Sequence, residues 1–439
     1  MNKHIPLAMP VLLTMFIQFP ELAYLNAQEP TDLNDPKYAE LAYPPTDDDI
    51  PGGGPLRRNE NQIKTWMTRR IHFANRGNQD NGAVVFYGDS ITQGWGDDFR
   101  KQFPGVHLAN RGISGDTTRG LLLRLEKDAL SLKPKAMVLL IGTNDLADGI
   151  EPEVIAGNMK LLIAELKKYS GTMPIVLCQV FPSHPDRNRP ADKIKKLNEL
   201  YFNVVKGDPQ ITFLDTYTYW AQPDGNCVPD YFPDLLHLNE QGYAKWASGL
   251  RPILTTLRLM ETEPKPFTPE EGFRSLLNGK DLTGWCARDN KTLEFQASYD
   301  GLTQTPDARF RAINNGITAA TTPEGRKYQV IWSKEEFPKD FVLRLQFRAS
   351  PNADGGVFIR KPQLQCRDYS IAGPFKDLKN YKPQEWNDLE VTVKGTTAYC
   401  TCNGEVLLDA MPVPESGPIG FEGDRGQMEY RNVRVKLIE

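Results

Sequence analysis

The chain of 439 residues lacks any excess of positive charge: 52 lysines and arginines stand against 56 aspartates and glutamates, for a net charge of −4. That leaves no basic field for a phosphate backbone, and no nucleic-acid partner is expected. Beyond its amino terminus the chain has no stretch resembling a membrane span of roughly 20 apolar residues, so no stable membrane insertion is expected. The six cysteines (Cys178, Cys227, Cys286, Cys366, Cys400 and Cys402) form no CxxC pair and no zinc signature. No set of histidines and carboxylates has metal-ligand spacing, and neither a metal nor another cofactor is expected. Gly52-Gly53-Gly54 lacks the strand-loop-helix context of a phosphate loop. What is present, 40% hydrophobic and 25% charged residues, reads as globular, and the length calls for two or three domains.

Lys3 and His4 precede an apolar run, Ile5 to Phe19, interrupted by Pro6 and Pro10, and Leu25-Asn26-Ala27 offers a small-residue cleavage site. This is the pattern of a secretory signal over 1–27, which implies a secreted or periplasmic protein. Export would allow the cysteines to oxidise. Cys178 sits in an apolar run, as a buried thiol does, while Cys400 and Cys402 alternate in a strand-like run and share a face. Residues 28–58 are rich in proline, glycine and aspartate, and are expected to form a linker without secondary structure.

The centre of the chain is Ala83 to Trp95, AVVFYGDSITQGW. A short apolar run ends in Gly88-Asp89-Ser90, so Ser90 is expected on a strand-to-helix turn, as a helix cap or as a nucleophile. From there, strands at Val106–Ala109, Ala136–Ile141, Ile175–Phe181 and Ile211–Leu214 alternate with helices at Thr118–Leu130, Pro152–Tyr169, Asp192–Val205 and Asn239–Leu259, after a first helix from Asn59 to Arg76. Short apolar strands buried on both faces, each followed by a helix, predict a three-layer α/β sandwich about a parallel sheet.

Polar blocks follow the strands: Asn110-Arg111-Gly112-Ile113-Ser114-Gly115-Asp116, Gly142-Thr143-Asn144-Asp145 and, before the last helix, Pro233-Asp234-Leu235-Leu236-His237. All gather on one edge of the sheet. The Asn144 amide suits a developing oxyanion. Asp234 and His237, three apart, fit one turn in which the carboxylate orients the imidazole toward Ser90. Asp89, Asp116 and Asp145 read as loop-holding residues, and His107 and His184 as structural histidines.

Together these blocks resemble the SGNH (GDSL) family of serine esterases, in its platelet-activating-factor-acetylhydrolase-like branch, over about 59–262. The resemblance implies a flavodoxin-like fold and an enzyme acting on ester bonds. It makes Ser90 the nucleophile, His237 the base and Asp234 its orienting acid, with Gly115, Asn144 and the Ser90 N–H as the oxyanion hole. Leu235 stands where relatives often carry glycine.

Past a charged, proline-rich boundary near 260–269 the pattern changes to short alternating strands: Phe341–Phe347, Gly356–Arg360, Leu389–Val393, Ala398–Cys402 and Met428–Lys436, with Asn403-Gly404 as a two-residue hairpin turn. A jelly-roll β-sandwich over 270–439 is expected. FRSLLNGKDLTGW, GGVFIRK, EWNDLEVTVKG and GPIGFEGDRGQMEYRNVRVK resemble the DUF1080 (3-keto-disaccharide hydrolase) family, which has a concanavalin-like sandwich. That resemblance implies sugar-binding positions near Arg360, Gln365 and Asp368; Gln363 stands where relatives often carry an acid. The expected function is an exported esterase removing acetyl or short acyl groups, with an acylated carbohydrate or another small ester as substrate. The alternatives are a glycan-binding or glycoside-cleaving protein acting through the sandwich, and a short-chain lipid esterase.

Overall fold

Four short strands, VVFYG, AMVLL, IVLC and ITFL, are almost wholly apolar because the sheet they form with a fifth, LANRG, is covered on both faces. The computed structural model describes residues 33, 35–48, 50–260, 267–367 and 377–438; the expected signal at 1–27, most of the 260–269 boundary and Asp368 lie outside them. In chain order the first part runs α1 (Glu60–Asn75), β1 (Val84–Gly88), α2 (Ser90–Gln93), β2 (Leu108–Gly112), α3 (Thr118–Asp128), β3 (Ala136–Leu140), α4 (Thr143–Ala147), α5 (Pro152–Tyr169), β4 (Ile175–Cys178), α6 (Ala191–Val205), β5 (Ile211–Leu214) and α7 (Glu240–Thr256). The strands pair in parallel in the order β2-β1-β3-β4-β5.

Alternate side chains of each strand enter different layers. Val85, Tyr87, Met137 and Leu139 pack with Leu121 and Leu125 of α3, Ile155 and Leu162 of α5, and Ile194 and Leu197 of α6. Val84, Phe86, Val138 and Leu140 pack with Tyr243, Trp246 and Leu250 of α7. Each such fully buried side chain contributes about 1.5–3 kcal/mol. Strand order reverses between β1 and β3, the place where open α/β sheets bind ligands.

Two local readings shift. The second strand lies at Leu108–Gly112 because its register is set by pairing Val84 with Leu108. The 28–58 segment is not a bare linker in its described part. Pro36–Leu41 forms a 3-10 helix capped by Asp35, and Tyr43 packs edge-on against Trp66, ring centroids 4.8 Å apart. Arg119 of α3 donates to the carbonyls of Asp47, Ile50 and Gly54, and Asn158 of α5 pairs with both backbone groups of Gly53. Polar composition hid this strap because the donors that satisfy its backbone come from helices about 60 to 110 positions downstream.

The second part is two antiparallel sheets. In the described residues one has the order Glu405–Pro412, Thr397–Cys402, Asn387–Lys394, Phe341–Ala349, Met428–Leu437, Gly316–Ala319 and Phe310–Ile313, with Arg274–Ser275 also on Met428–Leu437. The other has the order Gln363–Arg367, Asp354–Ile359, Pro418–Arg425, Arg326–Glu336, Trp285–Arg288 and Phe295–Ser298. Inward residues such as Phe341, Leu343, Val357, Val391, Phe421 and Tyr430 form one core between them. Asn403 and Gly404 both take positive φ, 48° and 83°, as a two-residue hairpin turn requires. Asn352 Nδ2 to Asp215 Oδ2 (2.5 Å) and Gln427 Nε2 to the Pro252 carbonyl (2.9 Å) link the two parts.

Candidate active site

Ser90 stands on a turn with no room to spare. A Cβ on Gly88 would fall 2.4 Å from the Leu140 carbonyl oxygen of the neighbouring strand, so only glycine lets β1 end here. Asp89 then caps α2, its Oδ1 accepting from Ile91 N–H at 2.9 Å. Burial pushes the Asp89 carboxyl up to about 7, against the opposing pull of that N–H. Its Oδ2 is buried with no hydrogen-bond partner among the described residues.

The loop before α7 brings the other two groups to Ser90. His237 Nε2 lies 2.9 Å from Ser90 Oγ, and His237 Nδ1 lies 2.7 Å from Asp234 Oδ2. Asp234 Oδ1 also accepts from the N–H groups of Leu236 (3.1 Å) and His237 (2.7 Å), so the carboxylate holds its own loop. Burial raises the Asp234 carboxyl, but the bonds from the His237 ring and backbone outweigh it and hold the group well below the usual carboxylate range. Leu235 adopts φ 64° to make this turn, the left-handed conformation that a glycine takes without strain. The turn therefore carries backbone strain of order 1–3 kcal/mol that a glycine there would not.

Gly115 and Asn144 are brought together by Arg57, which donates to the carbonyls of both. Gly115 has φ 80°, and a Cβ there would fall 2.0 Å from Gln62 Oε1. Neither its N–H nor that of Ser90 donates to another group among the described residues. Asn144 Nδ2 donates one hydrogen to the Asp116 carbonyl at 2.9 Å, which leaves the second available. Asp145 accepts from Thr118 N–H and Oγ1, and Asp116 from Arg124 and Thr117 N–H, so both buried acids tie loops together. Burial pushes the Asp145 carboxyl up to about 6. His107 bonds the Gln79 carbonyl on the exposed surface, and His184 caps the short turn Pro185–Arg187.

Three arginines that the sequence reading passed over complete the surroundings. Arg57, from the strap, donates to the carbonyls of Gly115 (3.3 Å) and Asn144 (3.2 Å) and pairs with Asp148. Arg187 donates to Asp234 Oδ2 at 2.9 Å, and Arg189 to Asn144 Oδ1 at 3.1 Å. The available signal is position: FPSHPDRNRP follows β4 at the same edge of the sheet.

A nucleophile, a base with its orienting acid, and N–H groups without another acceptor are a set suited to acyl transfer through a tetrahedral intermediate. The sequence family described as GDSL-like lipase/acylhydrolase matches residues 86–245. Over 195 residues the chain is 30% identical to the platelet-activating factor acetylhydrolase IB subunit alpha1 of Pongo abelii, covering 44% of this chain and 84% of that one. The chain belongs to the GDSL-like lipase/acylhydrolase family. It is an ester-bond hydrolase. The alpha2 subunit of the human enzyme is 29% identical over 203 residues, covering 46% of this chain and 87% of that one. Among solved structures, a GDSL-like lipase from Bacteroides thetaiotaomicron is 25% identical, with a TM-score of 0.37, covering 42% of this chain and 96% of that one.

In this GDSL-family chain the sandwich has its own match: residues 272–436 fit the 3-keto-alpha-glucoside-1,2-lyase-like domain. One of its expected sugar-facing positions, Arg360, needs correction. Arg360 is buried, 1% exposed, and donates to the carbonyls of Phe337, Lys339, Gly395 and Pro414, so its guanidinium is consumed by the protein's own backbone. It lies one residue past its strand with φ 59°, which turns the side chain from the sheet face into the edge of the core. Gln365 remains on the face, donating to Asp354 Oδ1 at 2.6 Å; Asp368 lies outside the described residues. In the same sheet, Glu422 accepts from Gln363, and Trp332 and Phe358 pack together with ring centroids 5.0 Å apart.

Proposed function

We propose that this protein is an exported serine esterase that removes acetyl or another short acyl group from a carbohydrate. The observation that carries the chemistry is the continuous chain Asp234–His237–Ser90, at 2.7 and 2.9 Å. Ser90 Oγ attacks the ester carbonyl as its proton passes to His237 Nε2. The carbonyl oxygen gathers negative charge between the N–H groups of Ser90 and Gly115 and the second N–H of Asn144. His237 returns the proton to the leaving alkoxide, an acyl-Ser90 forms, and water repeats the sequence to release the acid.

The acyl preference is supported by the acetylhydrolase names of the similar subunits, and the carbohydrate by the glucoside-lyase-like match. Export rests on the amino-terminal pattern. The test is a hydrolysis screen of acetylated oligosaccharides beside p-nitrophenyl esters of rising chain length. Rates highest on acetylated sugar support the reading. Rates that climb with chain length on free esters point instead to a lipid esterase.

One observation favours a second reading, in which the sandwich cleaves glycosides itself. Burial pushes the Glu422 carboxyl up to about 8, with Asp354 and Asp424 adding to the rise, so this face holds a carboxylic acid protonated at neutral pH. Glycoside turnover abolished by Glu422→Gln and kept by Ser90→Ala would establish it.

A further inference from the structure

We propose that the turn Arg187-Asn188-Arg189, in the connection from β4 to α6, is a bracket whose two arginines are positioning residues, one for the triad acid and one for the oxyanion amide. This rests on the reading of Asn144 and Asp234 given above. The two groups it joins come from separate parts of the chain: Asp234 from the loop before α7, Asn144 from α4. Arg187 grips the first, with Nε on the Asp234 carbonyl at 2.7 Å and Nη2 on Oδ2 at 2.9 Å. Arg189 grips the second, with Nε on Thr143 O (2.9 Å) and Oγ1 (2.8 Å) and Nη2 on Asn144 Oδ1 (3.1 Å).

The turn between them is closed. Arg189 Nη1 donates to the Arg187 carbonyl, Asn188 takes φ 56°, a left-handed conformation asparagine tolerates, and Pro185 and Pro190 flank it. Arg189 is 7% exposed, so its fork is largely shielded from water.

The contact with Asn144 decides a chemical sign. An asparagine amide can present its N–H or its oxygen to a neighbour, and the two faces have opposite effects on an oxyanion. With Arg189 donating to Oδ1 and Nδ2 donating to the Asp116 carbonyl, rotation of the amide by half a turn would set donor against donor and acceptor against acceptor. Arg189 therefore keeps the remaining N–H, and not the oxygen, turned to the developing charge. A fork is required: a lysine ammonium is one point and cannot span Thr143 and Asn144 together.

The experiment is a pair of double-mutant cycles on the full chain with p-nitrophenyl acetate, after thermal melts confirm folding. Arg189→Met is expected to lower kcat about 10–100-fold with KM within about twofold of the parent, since misplacing a transition-state donor costs part of what deleting it costs. Asn144→Ala is expected to lower kcat roughly 10²–10³-fold, and the double variant is expected to be no slower than Asn144→Ala alone. Multiplying losses would overturn the proposal, because a residue that only stabilises the fold slows every background alike. Arg189→Lys is expected to lose nearly as much as Arg189→Met, and it takes over the cycle if the methionine variant does not fold; parent-level activity of the lysine variant would overturn the fork. Arg187→Met is expected to add nothing in an Asp234→Asn background, and a further loss there would overturn its half of the bracket. The failures are distinguishable. Asn144→Ala at the parent rate removes the reading of Asn144 and the proposal with it, whereas a slow Asn144→Ala beside a parent-like Arg189→Met removes the proposal alone.

Discussion

Arg360→Ala is the perturbation whose effect the structure reverses. From its place in the sequence the residue was expected on a sugar-binding face, so its loss would weaken glycan binding and leave the fold intact. In the structure four of its N–H groups donate to carbonyls of Phe337, Lys339, Gly395 and Pro414 at 2.7–2.8 Å. These belong to segments around 337–339, 395 and 414, which the guanidinium pins to the end of one strand. Truncation removes four charge-assisted bonds, each of order 1.5–3 kcal/mol in isolation, and leaves carbonyls facing a void. Such losses do not add, and removing one side of a buried polar set typically costs about 3–5 kcal/mol. At about 2–4 °C per kcal/mol for a unit of this size, the melting transition of the sandwich should fall by roughly 6–20 °C. Trp285 and Trp332 report on this unit, so intrinsic fluorescence follows it. Hydrolysis of p-nitrophenyl acetate at 25 °C should be unchanged, because Ser90 belongs to the other sheet. Destabilisation below about 1 kcal/mol, or lost glycan binding with an unshifted melt, would refute the structural role and restore the sugar contact.

Arg57→Ala should lower kcat on p-nitrophenyl acetate about tenfold, since it backs the carbonyls of Gly115 and Asn144, and a fragment beginning at residue 59 should lose at least as much; equal rates would leave the strap without a part in the site. Asp89 carries a proton up to about pH 7 in the folded chain but only to about 3.9 when unfolded, so between those values the unfolded state ionises first and stability falls as pH rises. Asp89→Asn removes that slope, and its urea-unfolding free energy should gain on the parent from pH 4 to 7 by up to about 4 kcal/mol; parallel curves would show that Asp89 ionises normally. Gln365→Ala should weaken binding of an acetylated glycan and leave the small-ester rate alone, as read by calorimetry beside a p-nitrophenyl acetate assay; no change in either would leave Gln365 as a partner of Asp354 only.

The α/β layer was legible because its signals are local. Largely apolar strands of four or five residues, helices with apolar spacing and polar blocks at strand ends are all set by neighbours in the chain. Ser90, Asn144, Asp234 and His237 stood out for the same reason: each sits in a short block next to an element whose type was readable. The bounds of β2 were less legible, since a strand's limits depend on the register of its partner. The strap at 33–58 was missed because its composition is that of a solvated linker, while the groups that order it, Arg119 and Asn158, lie far along the chain. Arg360 was misplaced because one left-handed residue at a strand end sends a side chain to the other side of the sheet, and nothing in GVFIRK marks that φ.

By itself, then, the sequence determined which residues could be a nucleophile, a base, an acid and an oxyanion donor, and that a parallel sheet would carry them to one edge. Those follow from residue chemistry and from periodicities of 2 and 3.6, which involve near neighbours only. The tertiary structure alone decided what holds them. Arg57, Arg187 and Arg189 are ordinary arginines in polar stretches until folding sets Arg57 against Gly115 and Asn144, Arg187 against Asp234, and Arg189 against Asn144. A guanidinium on a flexible stem gives no local sign of its partner. Its role is fixed by which carbonyls and carboxylates the packed chain leaves within reach and without water.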